Sequence, residues 1–347
     1  MTESGDRLTK PVTDSNESAA MARESKAQTE HDSAARKRDI RWVFFGSQGL
    51  RAGWGVGFFI AAFAAVVVVL RPLLVRLLHF NPKAAMRPTT GILAEGIDVL
   101  ILVAVLWLMS RIERRPLLSY GYQGRARLVR LVSGLLWGFV AISALVLTLW
   151  GLGYARLEGT TLMAGPAIRD ALLWGVMFCL VGFFEESVLR GYLQLTLTRG
   201  MGFWWGALLF SVLFGAMHGH NPGESPVGLF SAGAVGLVFC ISLWYTGSLW
   251  WAIGFHAAWD WGESYFYGTA DSGLVTQGHL LREHSVGNIL MSGGATGPEG
   301  SLLIVPLLVV MAALMVLWWR GRAQSPFAGA GWKPLRHSTQ ESATNQG

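Results

Sequence analysis

The chain has 347 residues, of which 52% are hydrophobic and only 14% charged, with 16 tryptophans and a net charge of +6; its mean hydropathy is +0.40. A soluble domain of this size needs far more charged surface, so the composition excludes that class and points to a chain threaded repeatedly through a membrane. The basic residues gather in loops and tails, as membrane topology demands, which argues against a nucleic-acid partner.

Residues 1–45 are read as a disordered cytoplasmic tail of Ser, Thr, Glu, Lys and Ala in no period. They do not read as a signal peptide, because the first apolar run begins only near Trp54. A membrane span takes about 20 apolar residues. Eight candidates approach that length: 54–76, 91–110, 129–151, 168–193, 203–220, 226–245, 248–267 and 301–320. They predict an all-α polytopic membrane protein of about eight transmembrane helices within residues 46–323, with 324–347 a flexible cytoplasmic tail. Only Tyr245-Thr246-Gly247-Ser248 separates the sixth span from the seventh, and Gly-rich residues 268–300 read as a long loop.

With both termini inside, sixteen Lys and Arg lying within about 20 residues of a span fall on the inner side and seven on the outer. That asymmetry favours cytoplasmic termini and an integral protein of a bacterial cell membrane. No internal repeat of the kind common in transporters is visible. Cys179 and Cys240 lie in predicted spans, give no disulfide framework, and are read as ordinary buried small residues.

Into this apolar background the fourth span sets Glu185, Glu186 and Arg190. A carboxylate at bilayer depth costs roughly 3 kcal/mol on insertion scales, so a pair of them marks a functional site by default. Neighbours on a helix point about 100° apart, so the two cannot serve one spot. Glu186 and Arg190 stand at i and i+4 in the favourable order for an ion pair, which leaves Glu185 to face a cavity. His218 closes the next span, with Phe214 one turn back on the same face. The midpoint of 185 and 218 falls inside Arg199-Gly200-Met201-Gly202, so a helix hairpin turning there sets Glu185 and His218 at one depth. His256 and Asp260 share a face of the seventh span, where Asp260 either fixes the His256 tautomer or points at a substrate. Glu95, Asp98 and Glu263 are spaced to line a cavity mouth, and His220 reads as interfacial.

The segments EESVLR (185–190), FGAMH (214–218) and HAAWD (256–260) fit Glu-Glu-x-x-x-Arg, Phe-x-x-x-His and His-x-x-x-Asn/Asp in that order. Over a motif core of roughly 165–265 the chain resembles the CPBP family of intramembrane proteases, which includes the CAAX prenyl endopeptidases and the bacterial proteins once called ABI. The resemblance implies hydrolysis of a peptide bond in a membrane-associated protein or peptide at the lipid bilayer. It makes Glu185 the general base on water, assisted by His218. Glu186 and Arg190 hold the geometry, and His256 and Asp260 bind the scissile carbonyl or its oxyanion. Well-studied relatives carry Asn where this chain has Asp260; an ionised carboxylate repels an oxyanion, so Asp260 must be protonated there or serve His256. Members have also been described as metalloproteases, and Glu185, His218 and His256 are the set that would hold zinc, although no His-Glu-x-x-His is present. A metal-free glutamate mechanism suits the same motif and is preferred. The competing expectations are a non-proteolytic membrane scaffold or regulator on the same fold, and a proton-coupled transporter.

Overall fold

The computed structural model describes residues 21, 23–26, 41–46, 49–77, 87–124, 126–159, 163–323 and 325–328. Most of the expected N-terminal tail, and everything after 328, lies outside the described residues. The chain divides into two compact units, Met1–Arg51 and Ala52–Gly347. Within the first, a short helix at Arg41–Phe44 leads into a hairpin that pairs Phe45 with Leu50 and Gly46 with Gly49.

The second unit carries α1 (Ala52–Leu77), α2 (Pro88–Glu113), α3 (Arg127–Gly151), α4 (Ala164–Glu186), α5 (Gln194–Met201), α6 (Phe203–His218), α7 (Pro226–Thr246), α8 (Trp250–Trp261) and α9 (Ile304–Trp319). A π-helical stretch, Ser187–Leu193, joins α4 and α5 into one rod of 38 residues, and a second, Gly262–Tyr267, extends α8. The chain is an all-α polytopic membrane protein. Among the described residues, five helical segments are long and apolar enough to cross a membrane: Ala52–Leu70, Pro88–Glu113, Arg127–Gly151, Ala164–Met201 and Pro226–Thr246. The expected spans at 203–220 and 301–320 are shorter apolar helices, Phe203–His218 and Ile304–Trp319. The span expected at 248–267 is the 12-residue α8 with its π extension. Nine residues of α8 are buried, so protein rather than lipid surrounds it and bilayer thickness does not set its length.

Glycines let the helices that carry the polar residues approach this central one. Gly134 and Gly138 of α3 lie so close to the Trp251 and Phe255 carbonyls that a Cβ at either would collide with backbone, and Gly254 meets the Leu131 carbonyl in the same way. Gly134 and Gly138 are a small-xxx-small pair, the spacing that permits close helix contact in membranes. Gly182 of α4 does the same more gently: its Cβ would stand 3.0 Å from the Ile253 carbonyl oxygen and 3.3 Å from the His256 Cβ. Around these crossings Ile142, Val146, Leu149, Phe239, Phe255 and Trp259 form the core.

The hairpin between α5 and α6 turns on one residue, Gly202 at φ +88°, rather than on the four-residue segment expected. Between α7 and α8, Gly247 adopts a left-handed cap and the Leu249 N–H donates to the Gly121 carbonyl, so the short link ends both helices cleanly. The long loop is compact. Its Arg282–Ser285 strand (β2) pairs antiparallel with Ala155–Glu158 (β1), joining it to the α3–α4 connection, while Ser272, Thr276, Ser292 and Thr296 are buried. Past the expected domain end, Phe327 packs on Phe203 with ring centroids 4.8 Å apart. Cys240 is buried, but Cys179 faces outward, against expectation, because its helix turns Trp174, Met177 and Phe178 to the protein instead.

A second polar group unites the chain near the α5–α6 turn. Glu113 accepts from Tyr192 Oη at 2.6 Å, from Arg199 Nη2 at 3.3 Å and from Tyr120 Oη at 3.4 Å. In the loop outside the spans, burial and the Glu113 carboxylate both push the Tyr120 phenol well above its usual range.

The α3–α8 contact yields a direct test. Gly138→Leu should lower the Tm in detergent strongly, since overpacking costs about 1–3 kcal/mol even where side chains can yield, and here the obstacle is backbone. Gly53→Leu, at a position with nothing within 4 Å, should leave it nearly unchanged. Equal Tm values for the two variants would contradict the packing described.

Candidate active site

Glu186 is fully buried near the centre of the unit. Its Oε1 accepts from Arg190 Nη1 at 2.8 Å, one turn along, and from His256 Nδ1 at 3.1 Å, across from α8. The approach at Gly182, four residues earlier on the same face, brings the two helices within reach of this bond. Arg190 is itself 1% exposed. Its guanidinium lies over the Phe214 ring at 4.3 Å and near Phe239 at 5.8 Å. Such contacts strengthen when water is excluded. Gly236 makes the room, because a Cβ there would collide with Arg190 Nη2.

The ring of His256 is therefore oriented by Glu186 and not, as one expectation had it, by Asp260. A carboxylate oxygen accepts, so Nδ1 carries a proton and Nε2 turns to the other side. There Nε2 stands 3.4 Å from Asp260 Oδ2 and 3.7 Å from Glu185 Oε2. Glu185 is partly exposed, and its buried Oε2 has no hydrogen-bond partner among the described residues. On α6, His218 Nδ1 lies 2.8 Å from the Phe214 carbonyl oxygen, which can only accept. That bond fixes the Nδ1–H tautomer and leaves Nε2 an unprotonated acceptor. Phe214 also meets the His218 ring edge-on at 4.7 Å.

Glu185, His218, His256 and Asp260 line one cavity of about 300 Å³, together with apolar walls that include Phe178, Phe184, Met217 and Phe239. Of the residues assigned to the cavity mouth, Glu95 lines it. Asp98 and Glu263 do not, and Glu263 is fully buried. His220 is exposed, two residues beyond the end of α6.

Residues 167–262 match the family described as Type II CAAX prenyl endopeptidase Rce1-like. The matched segment contains all six polar residues of the site. The match supports the resemblance to the CPBP family over this part of the chain. No curated protein and no solved structure matches the chain. The matched family is one of CAAX protease-type endopeptidases, and together with the apolar helices the match supports an integral membrane protein and suggests a peptide or protein in a membrane as substrate.

Zinc fits poorly on the residues named for it. Among the described residues, donor atoms of Glu185, His218 and His256 do not all come within 4.8 Å of one another, a wider spread than ligands of one zinc ion take. Three features near the site escaped sequence reasoning. Two are the π-helical stretches, which begin at Ser187 and Gly262, just beyond Glu186 and Asp260. Such wide turns are rare and gather at functional sites, but they have no residue signature. The third is the role of Gly236, whose neighbours come from two other helices.

The Glu186–Arg190–His256 arrangement predicts that Arg190→Ala costs stability, since breaking one side of a buried pair costs about 3–5 kcal/mol. Adding Glu186→Gln should restore part of the lost Tm by removing the unpaired charge. A double variant no more stable than Arg190→Ala alone would reject the pairing.

Proposed function

We propose that the chain is a glutamate-type intramembrane endopeptidase in which Glu185 and His218 activate water. The supporting observation is the pairing, in one largely apolar cavity, of a carboxylate lacking a hydrogen-bond partner with a histidine whose Nε2 is held as an acceptor. Glu185 takes a proton from water while His218 Nε2 accepts its other hydrogen as a hydrogen bond. The hydroxide attacks the scissile carbonyl carbon, and the oxygen becomes an oxyanion. His256, as an imidazolium protonated on both ring nitrogens with Nδ1–H held by Glu186, offers its Nε2–H to that oxygen, beside Asp260 in its protonated form. The tetrahedral intermediate collapses as the C–N bond breaks, and the proton on Glu185 passes to the leaving amine. No step is routed through a metal.

The convergence of polar groups on one cavity favours chemistry over a proton path, which needs groups spaced across the bilayer. The basic-residue asymmetry favours both termini in the cytoplasm, and with that orientation the Gly202 turn lies on the inner side. Glu185 and His218 are 17 and 16 residues from that turn. At 1.5 Å per residue both lie about 25 Å from it, so substrate would enter from the outer half of the membrane. The apolar walls suit a membrane-buried peptide segment, and nothing in the cavity requires that it be prenylated.

Glu185→Gln and His218→Ala should each lower cleavage of a membrane-anchored peptide by about 10²–10⁴ while the protein stays folded in detergent. Cleavage at the wild-type rate by either variant would show the assignment to be wrong. Comparing membrane proteomes of cells carrying wild type or Glu185→Gln should reveal the substrate as a missing product.

Because Glu186 already orients His256, Asp260 is free to act toward the carbonyl oxygen. Asp260→Asn should therefore keep activity within about tenfold of wild type, since an amide donates at every pH, whereas Asp260→Ala should not. An Asn variant as inactive as Glu185→Gln would mean that the carboxylate itself is required.

A further inference from the structure

At the edge of the cavity, where Asp271 and Glu299 line it and Glu263 lies behind them, three carboxylates come together from distant parts of the chain. Glu263 lies on the π-helical extension of α8, Asp271 a few residues into the long loop, and Glu299 at that loop's other end, before α9. One oxygen from each falls within 4.8 Å of the other two. The catalytic scheme uses none of them. Three mutually close carboxylates in a protein interior repel one another, and each loses hydration. Something must compensate.

The hydrogen bonds around the cluster indicate what it can accept. Asp271 Oδ2 takes the Ser264 hydroxyl at 3.0 Å, and Glu299 Oε1 takes the Trp259 indole N–H at 2.9 Å. The Ser272 hydroxyl donates to Glu299 Oε2. These neutral donors orient two of the carboxylates from outside, as the groups behind metal ligands commonly do. Glu263 is different. It is 0% exposed, and neither of its oxygens has a hydrogen-bond partner among the described residues. No ion pair with Lys, Arg or His is present at any of the three carboxylates among the described residues.

We propose that Glu263, Asp271 and Glu299 form a binding site for a hard divalent cation of the calcium or magnesium class, separate from the catalytic residues. An all-oxygen, carboxylate-rich donor set suits such ions and disfavours thiophilic metals. The ion would fasten both ends of the 268–300 loop to the end of α8. Asp271, Ser272, Thr276 and Glu299, all on that loop, line the cavity beside His256 and Asp260. The cation therefore holds one wall of the substrate cavity in place.

The test uses the full-length protein in detergent, stripped with chelator and titrated with calcium or magnesium alone. Binding is read by equilibrium dialysis and by Tm. Saturable uptake of one calcium or magnesium ion per chain is expected, with Tm rising by about 5 °C at a hundredfold excess over Kd. The tighter of the two ions identifies the preference. Glu263→Gln and Asp271→Asn should each weaken uptake at least about tenfold. Glu158→Gln, an exposed carboxylate on β1, should bind like wild type. Asp271 is only half-buried, so its variant serves where Glu263→Gln fails to fold. The proposal is overturned if neither ion binds wild type saturably or if the variants bind as wild type does. It is equally overturned if Glu263→Gln raises the Tm while wild type takes up no ion, which would mean that the carboxylates share protons. None of these readouts depends on peptide cleavage, so the outcome stands apart from that of the catalytic assignment.

Discussion

A carboxylate with no exposure to solvent, Glu186, sets the terms for the rest of the structure. Ionised and alone in a low-dielectric interior it would be prohibitively costly, so the fold must bring donors to it. Arg190 comes from the same rod and His256 from α8, and both bond to one oxygen. Arg190 in turn needs surroundings that tolerate a guanidinium, which the faces of Phe214 and Phe239 and the space at Gly236 supply. Four helical segments are thereby committed to one arrangement. The same arrangement fixes which nitrogen of His256 faces the cavity.

Close helix approach makes this possible. Lipid chains are as apolar as leucine, so helices in a membrane gain little from hiding apolar faces and depend instead on tight packing and polar contacts. Gly134, Gly138, Gly182 and Gly254 remove side chains where α3, α4 and α8 cross, and backbone carbonyls occupy the space. The π-helical stretches after Glu186 and Asp260 then shift the helical phase of the residues C-terminal to them. Ser187–Leu193 carries Arg190 on a widened turn, and Gly262–Tyr267 carries Glu263 toward the carboxylate cluster.

Polar networks at opposite ends of the unit constrain the rods that connect them. Glu113, with Tyr192 and Arg199, ties α2 to the π stretch and to α5 near the Gly202 turn. At the other end the 268–300 loop is pinned by β pairing to the α3–α4 connection and by Glu299 to Trp259. The cavity lies toward that second end, walled partly by a loop whose glycines adopt left-handed backbone, such as Gly297 at φ +94°.

The sequence by itself was enough for the class of protein, the rough limits of the helical rods, and the six polar residues that the fold gathers around one cavity. Apolar length, the cost of intramembrane charge and i, i+4 spacing are local quantities, legible along the chain. The Glu186–Arg190 pair and the common cavity of Glu185 and His218 were readable for that reason, since one helix and one hairpin define them. Relations between helices far apart in the chain were not readable. His256 chooses Glu186 over the nearby Asp260 because the crossing at Gly182 puts Glu186 in line with Nδ1, and that crossing depends on the packing of α3, α4 and α8 together. Glu113 meets partners 79 and 86 residues away, and Glu263 meets Glu299 across a segment that composition alone marked only as a long loop. Three-dimensional proximity decided these contacts, and one-dimensional periodicity carries no record of it.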